Sequence, residues 1–239
     1  MTDLNGDRSM RSVAVVVAAA GRGERFGGSK PKALEEIAGV SLLEYCLEVL
    51  GQLPELGAVV VAAPQTHVDE VTAICSRHGA QPVVVVPGGP VRAESVANAI
   101  AVLPRDVEVI LVHDAARAFT PVEQFRAVIE AVQGGAAAVI PGSPVVDTVK
   151  EVDESGYVVR TVPRETLRSV QTPQGFDRAT LVAVHSKPEL ADVTDDAGMV
   201  EADGGRVLMV PGHADAFKVT TPFDRLVAHA VVERRNGAN

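Results

Sequence analysis

The chain has 239 residues, 46% of them hydrophobic, and carries 22 Lys and Arg against 31 Asp and Glu for a formal net charge of −9. That length suits one α/β domain or two small ones and buries a sizeable core unaided. The acidic balance argues against a general nucleic-acid binder, which carries a basic stripe. Trp is absent and Phe and Tyr are few, so Val, Ala and Leu must build the core. Val-rich runs point to strands buried on both faces, as in parallel sheets.

Met1 to Arg11 is polar and expected to fray; residues 1–10 are read as a disordered tail and 11–235 as a single domain. No signal peptide and no apolar run of transmembrane length is read, so a soluble cytoplasmic protein is expected. Short Val-rich runs then alternate with helical patterns. Val13–Ala18, Ala58–Ala63, Val83–Val86, Val109–His113 and Ala136–Pro141 predict strands. Leu42–Leu50, Val68–His78, Arg92–Leu103 and Val122–Gln133 predict helices. Thr120-Pro121 predicts a helix start with Thr120 as N-cap and Pro121 in the first turn. The alternation predicts an α/β fold with a mostly parallel sheet flanked by helices on both faces.

The rhythm changes after Pro141. Val145–Glu151 and Tyr157–Val162 flank the turn signal Asp153-Glu154-Ser155-Gly156 and predict a projecting β-hairpin arm at about 145–165. A hairpin alone is marginal in water and needs support from the sheet or from a second subunit. Then follow a strand at Ser169–Thr172, a helix from Arg178, a helix around Asp195–Ala202, a strand at Val207–Val210 and a final helix from Pro222. Cys46 and Cys75 lack metal-ligand spacing and lie in helical patterns, which reads as two buried thiols in a reducing compartment.

Four cations, Arg22, Arg25, Lys30 and Lys32, crowd one glycine-rich loop after the first strand. The dinucleotide fingerprint fails there, because Phe26 stands where a small residue is needed. The P-loop fails as well, because Ser29-Lys30 reverses the required Lys-Ser order. What remains is Ala18-Ala19-Ala20-Gly21-x-Gly23-x-Arg25 followed by Pro31-Lys32. Small residues let backbone N–H groups approach a triphosphate, with Arg25 and Lys32 to neutralise charge on a transferring phosphoryl group.

A second constellation ends a buried strand, His113-Asp114-Ala115-Ala116-Arg117. Strand ends are where ligands bind in open α/β sheets. Asp114 is placed to approach Mg²⁺ or a sugar hydroxyl and Arg117 to grip an anion; an Asp–Arg pair capping the next loop explains the same residues. His113 reads as structural. The third, Pro87-Gly88-Gly89-Pro90-Val91-Arg92-Ala93-Glu94-Ser95, is a turn entering a helix, where N–H groups and the Ser95 hydroxyl either read a base edge or serve ordinary capping.

In this order the three motifs resemble the methylerythritol phosphate cytidylyltransferases, nucleotidyltransferases of the non-mevalonate isoprenoid pathway. The resemblance continues through Asp147-Thr148-Val149-Lys150, Thr161-Val162-Pro163-Arg164, Gln171-Thr172-Pro173-Gln174, Thr194-Asp195-Asp196-Ala197 and Phe217-Lys218-Val219-Thr220, so it spans nearly the whole chain. It implies a Rossmann-like nucleotidyltransferase fold and transfer of cytidylyl from CTP to methylerythritol phosphate with release of pyrophosphate. It implies Arg25, Lys32, Arg164 and Lys218 as the catalytic set, and Ala19, Ala20, Gly21, Gly23, Gly89, Ser95, Asp114 and Ala115 around the nucleotide. Asp114, Arg117, Thr148, Arg164 and Lys218 would hold the acceptor. Mg²⁺ would be held mainly by triphosphate oxygens, with no dedicated protein metal site. A homodimer is implied, the arm carrying Arg164 to the neighbouring site.

Ala18, Pro90 and Pro163 depart from the proline, aspartate and acidic residue usual at these places; Pro90 puts one nucleotide contact in doubt. Lys30 reads as a solvated neighbour and Arg22 as a bystander. The alternatives are a ribitol phosphate cytidylyltransferase, whose loop more usually reads Ala-Gly-Gly, another sugar-phosphate nucleotidyltransferase, or a non-catalytic binding protein on the same scaffold.

Overall fold

The structure, a computed structural model, describes residues 12–21, 30–78 and 83–237. Its centre is a Val-rich strand, β1 (Ser12–Ala18), whose interior positions are all buried. Two strands flank it in parallel, β4 (Leu56–Ala63) and β6 (Val107–Asp114), with Val15 opposite Val59 on one side and Leu111 on the other. β5 (Val83–Pro87) extends the ladder in parallel beyond β4. β-Branched residues fit such a pleated, doubly covered surface.

Because side chains alternate across a strand, the central valines divide between two cores. On one face Val15, Val17, Val59 and Leu111 pack with α1 (Leu42–Leu50), α2 (Val68–Arg77) and α4 (Val122–Gln133) through Leu43, Leu47, Val71, Ile74, Phe125 and Val128. On the other, Val16, Val60, Ile110 and Val112 pack with α3 (Arg92–Ala101), α5 (Arg178–His185) and α6 (Asp196–Ala202) through Val96, Ile100, Leu181, Val184, Met199 and Val200. A third cluster seats α7 (Pro222–Gly237) through Val231 and Val232 against Leu42, Phe119 and Val219. The sheet is thus covered by helices on both faces, as the alternation requires. Among the described residues no helix is long and apolar enough to cross a membrane.

Local chemistry fixes the ends of elements. Ser41 and Glu44 form a reciprocal capping box at α1. At α4 the expected cap is off by one residue. Pro121 is the N-cap and makes no side-chain bond, while Thr120 Oγ1 donates to Arg117 O at 2.8 Å. The hydroxyl closes the preceding turn instead of the helix.

Beyond β6 the sheet becomes mixed. β7 (Ala138–Pro144) runs in the same direction as β6, and β11 (Gln174–Asp177) lies antiparallel between them. The sequence reading had no strand at β11, because Gln-Gly-Phe-Asp contains no β-branched residue. Gly175 is what admits it: a Cβ there would stand 2.4 Å from Val128 Cγ1 of α4. β10 (Arg168–Val170) pairs antiparallel and β12 (Leu208–Pro211) parallel with β7. Two two-residue strands, β2 (Glu36–Ile37) and β3 (Val40–Ser41), also escaped the sequence reading.

The arm is a two-stranded sheet of its own, β8 (Val149–Val152) against β9 (Val158–Val162). Asp153 Oδ1 accepts from the N–H groups of Ser155 and Tyr157, and Gly156 has φ +84°, so the turn is built as its residues suggested. The first strand is shorter than expected, beginning at Val149.

Candidate active site

The carboxyl ends of β1, β4, β5 and β6 open onto one cleft of about 830 Å³. Ala19, Ala20 and Gly21 leave β1 along one wall, and Lys30 to Lys32 return beside them. Lys32 N–H donates to Gly21 O at 3.4 Å and Ala19 N–H to Ala62 O at 3.0 Å, fixing both flanks. Gly88 to Val91 form the opposite wall, with Asp114 and Ala115 from the end of β6 and Lys218 from the segment before α7. Lys30, Lys32, Arg92 and Lys218 face this cleft on a chain of net charge −9, and Asp114 is the single carboxylate lining it among the described residues. Such local positive excess suits a polyanion.

Glycine is required where the β1 and β5 exits meet. A Cβ on Gly88 would lie 2.4 Å from Ala20 Cβ and 2.9 Å from Ser95 Oγ. Ser95 is buried and pins the same turn: Gly89 N–H donates to its hydroxyl at 3.0 Å, and the hydroxyl reaches Val91 O at 3.1 Å. Its observed work is to shape the wall.

Asp114 is the electrostatic centre. Lys218 Nζ lies 2.7 Å from Oδ2 and Arg92 Nε 3.4 Å from Oδ1. Burial alone would raise this carboxyl's pKa, but Arg92, Lys218 and Arg117 outweigh it and hold the group well below the usual carboxylate range. Asp114 N–H donates to Thr172 Oγ1 at 3.1 Å, and Thr172 Oγ1 meets His113 Nδ1 at 2.9 Å. Burial pushes the His113 pKa down to about 4, so the ring is neutral and structural, packed 4.8 Å from Phe125.

Arg117 stands behind the cleft instead of lining it. Nη1 donates to Ala216 O at 2.7 Å and Nη2 to Val170 O at 3.1 Å. Gln171 grips the backbone of His213 from both sides, at 2.8 and 3.0 Å. Val219 N–H donates to Ala116 O at 2.9 Å. These contacts carry the Lys218 segment to Asp114. Thr148 and Arg164 lie on the arm and do not line the cleft; Arg164 Nη1 donates to Val146 O within the arm. Gly23 and Arg25 lie outside the described residues, as do Arg22 and the 1–10 tail.

The family model for 2-C-methyl-D-erythritol 4-phosphate cytidylyltransferase (IspD) matches residues 13–234, from the first core strand into the last helix. The chain belongs to this family. A Frankia casuarinae 2-C-methyl-D-erythritol 4-phosphate cytidylyltransferase is 49% identical over 227 residues, covering 95% of this chain and 84% of that one. The crystal structure of the Thermus thermophilus enzyme of the same name aligns at TM-score 0.74 and 34% identity, covering 93% and 99% of the two chains. The 4-diphosphocytidyl-2C-methyl-D-erythritol synthase of Anaerococcus prevotii aligns at TM-score 0.82 and 27% identity, with the same coverage. The mixed sheet with its helical layers is therefore the Rossmann-like fold of the cytidylyltransferases.

Within this family member, sequence reasoning brought Ala19, Ala20, Gly21, Lys32, Gly89, Ser95, Asp114, Ala115 and Lys218 to one place. It passed over Arg92, whose side chain joins Asp114 to Asp196, and it named Asp196 only within the Thr194-Asp195-Asp196-Ala197 motif, with no role of its own. Arg92 Nη1 donates to Asp196 Oδ2 at 2.6 Å across 104 positions of sequence. Pro64 to His67, which form the wall beyond β4, carried no motif. A charge opening a helix directly after a glycine-rich turn, as Arg92 does, was the only signal available.

Proposed function

We propose that the cleft transfers the cytidylyl group of CTP to 2-C-methyl-D-erythritol 4-phosphate, giving 4-diphosphocytidyl-2-C-methyl-D-erythritol and pyrophosphate. The observation that carries this reading is the lining of one cleft by Lys30, Lys32, Arg92, Lys218 and Asp114 at the carboxyl edge of the sheet, in a chain whose family is the cytidylyltransferases. A phosphate oxygen of the acceptor attacks the α-phosphorus of CTP, and the bond from that phosphorus to the bridging oxygen breaks as pyrophosphate leaves. The attacking oxygen is already anionic, so the protein need not remove a proton. Its task is positioning and charge neutralisation.

Lys32, with Arg25, neutralises charge at the α-phosphate. Ala19 to Gly21 and Gly89 give the nucleotide close backbone approach, and Lys218 meets the acceptor phosphate. Mg²⁺ fits this site as a guest of the substrate. Among the described residues no group of three His, Cys, Asp or Glu side chains is placed to hold a metal, and the cleft offers the Asp114 carboxylate alone. Mg²⁺ prefers that setting of one carboxylate with phosphate oxygens and water, and it would supply further charge neutralisation. Homodimerisation is supported by the arm, where Val146, Val152, Tyr157, Val158 and Val159 are exposed on a hairpin that cannot bury them itself. In that assembly Thr148 and Arg164 serve the partner's acceptor site.

The test is pyrophosphate release with CTP and either acceptor. Methylerythritol phosphate should turn over faster than ribitol phosphate; the reverse order overturns the assignment. Lys32→Ala should lower kcat by on the order of a hundredfold while nucleotide KM moves much less. Full activity in that variant would remove Lys32 from the chemistry.

A further inference from the structure

Five charged or titratable side chains form a line from the open cleft into the packed interface of α5 and α6. Lys218 Nζ is 2.7 Å from Asp114, Asp114 is 3.4 Å from Arg92 Nε, Arg92 Nη1 is 2.6 Å from Asp196, and Asp196 Oδ1 is 2.9 Å from His185 Nε2. Its outer end, the Lys218 side chain, is 42% exposed, whereas Asp196 and His185 at the inner end are 1% and 5% exposed. The inner two do not line the cleft themselves, yet an Asp buried this deeply is costly unless it serves a partner.

The distances show how the partners are shared. Asp114 gives one oxygen to each of two cations, Oδ2 to Lys218 at 2.7 Å and Oδ1 to Arg92 at 3.4 Å. Arg92 in turn makes its short contact to Asp196. Burial alone would raise the pKa of Asp196, but Arg92 and His185 outweigh it and hold the carboxyl below its usual value. A charged Asp196 therefore draws Arg92 inward and leaves one Asp114 oxygen to the ammonium of Lys218.

We propose that Asp196, fixed by His185, is a positioning residue for the acceptor site, because by taking the Arg92 terminal nitrogen it limits Arg92 to a long contact with one Asp114 oxygen, so that the other can fix the Lys218 ammonium in the cleft. This rests on the transfer reading above, in which Lys218 meets the acceptor phosphate. With Asp196 neutralised, Arg92 closes on Asp114 and competes with Lys218, whose ammonium loses its fixed place. The effect belongs on acceptor binding more than on the chemical step.

Steady-state kinetics of Asp196→Asn, with melting temperature measured alongside, test it. Acceptor KM should rise by on the order of tenfold, as when outer partners of site residues are lost, with a smaller change in kcat. In Lys218→Met protein, followed in single turnovers at high enzyme concentration, the same substitution should add less than about twofold, because its route is already cut. His185→Asn leaves the Asp196–Arg92 pair in place and should raise acceptor KM in the same direction by a smaller factor. If Asp196→Asn does not fold, that second variant decides. Acceptor KM within about twofold of wild type in the folded variants overturns the proposal, as does an equal rise in the Lys218→Met background. Absence of turnover by the wild-type protein would instead overturn the transfer reading itself, so the two failures are distinguishable.

Discussion

His113 closes β6 with its ring buried among Phe125, Thr172 and the Arg117 backbone. An unfolded His titrates near 6.5, whereas burial lowers this one to about 4. Between those values the unfolded chain takes up a proton that the folded chain refuses. Its contribution is therefore complete above about pH 6.5 and is lost as pH falls towards 4, amounting to ~2 kcal/mol by pH 5. Urea titrations of wild type and His113→Asn at pH 7 and pH 5 should show the wild type losing more stability on acidification. Equal losses would mean that the ring is open to protons. Residue identities in the motifs were legible from sequence because the chemistry demands them locally: small residues beside phosphate, Lys32 after Pro31, Asp114 at a strand end. Arg92 and Asp196 were not, since their meaning lies in a contact across 104 positions that no spacing rule encodes. Arg117 is expected from sequence to grip an anion, but the structure sets it behind the cleft and spends both terminal nitrogens on the carbonyls that hold the Lys218 segment and β10.

At the scale of elements, the cleft depends on how closely the ends of β1 and β5 approach. Ala20 Cβ occupies the space that a side chain on Gly88 would need, 2.4 Å away, and Ser95 Oγ and Ala63 O stand behind it at 2.9 and 3.2 Å. Gly88→Ala should therefore push the two exits apart and raise nucleotide KM by on the order of tenfold or more, since small displacements of binding walls are costly. Ala20→Gly in the same chain removes the worst contact and should restore part of the loss, Ser95 and Ala63 remaining. A double variant no better than Gly88→Ala would show that this collision is not what matters. The Val-rich parallel strands and their helices were readable because periodicity and burial coincide there. β11 was not readable: its place between β6 and β7 is granted by Gly175 yielding to Val128, a tertiary fact that overrides strand propensity. The α4 cap differs from expectation because Pro121, with no side-chain acceptor, takes the N-cap position, while Thr120 one residue earlier donates its hydroxyl to Arg117 O.

Across the whole molecule, the arm is the element on which the proposed homodimer rests. Alternating strands and helices made the layered body legible from sequence, and the turn Asp153 to Gly156 made the hairpin legible. Neither could say where Arg164 acts. In the structure the arm has its own small sheet, exposes Val146 at 78% and Tyr157 at 75%, and holds Thr148 and Arg164 outside the lining of its own cleft. In the proposed homodimer a second copy of the chain would satisfy both facts, covering the apolar side chains and receiving Arg164 into its acceptor site. The consequence is complementation. Lys32→Ala damages the site of the subunit that carries it, whereas Arg164→Ala damages the partner's site. In a mixed dimer one site then has both defects and the other has neither. Each variant should be nearly inactive alone when assayed well below the acceptor KM. After co-refolding with random pairing, about a quarter of all sites should be intact, because half the dimers are mixed and each has one good site. Sedimentation should find the same preparations dimeric. A mixture no more active than the mean of its two components would place Arg164 in its own subunit's site, or nowhere in the reaction.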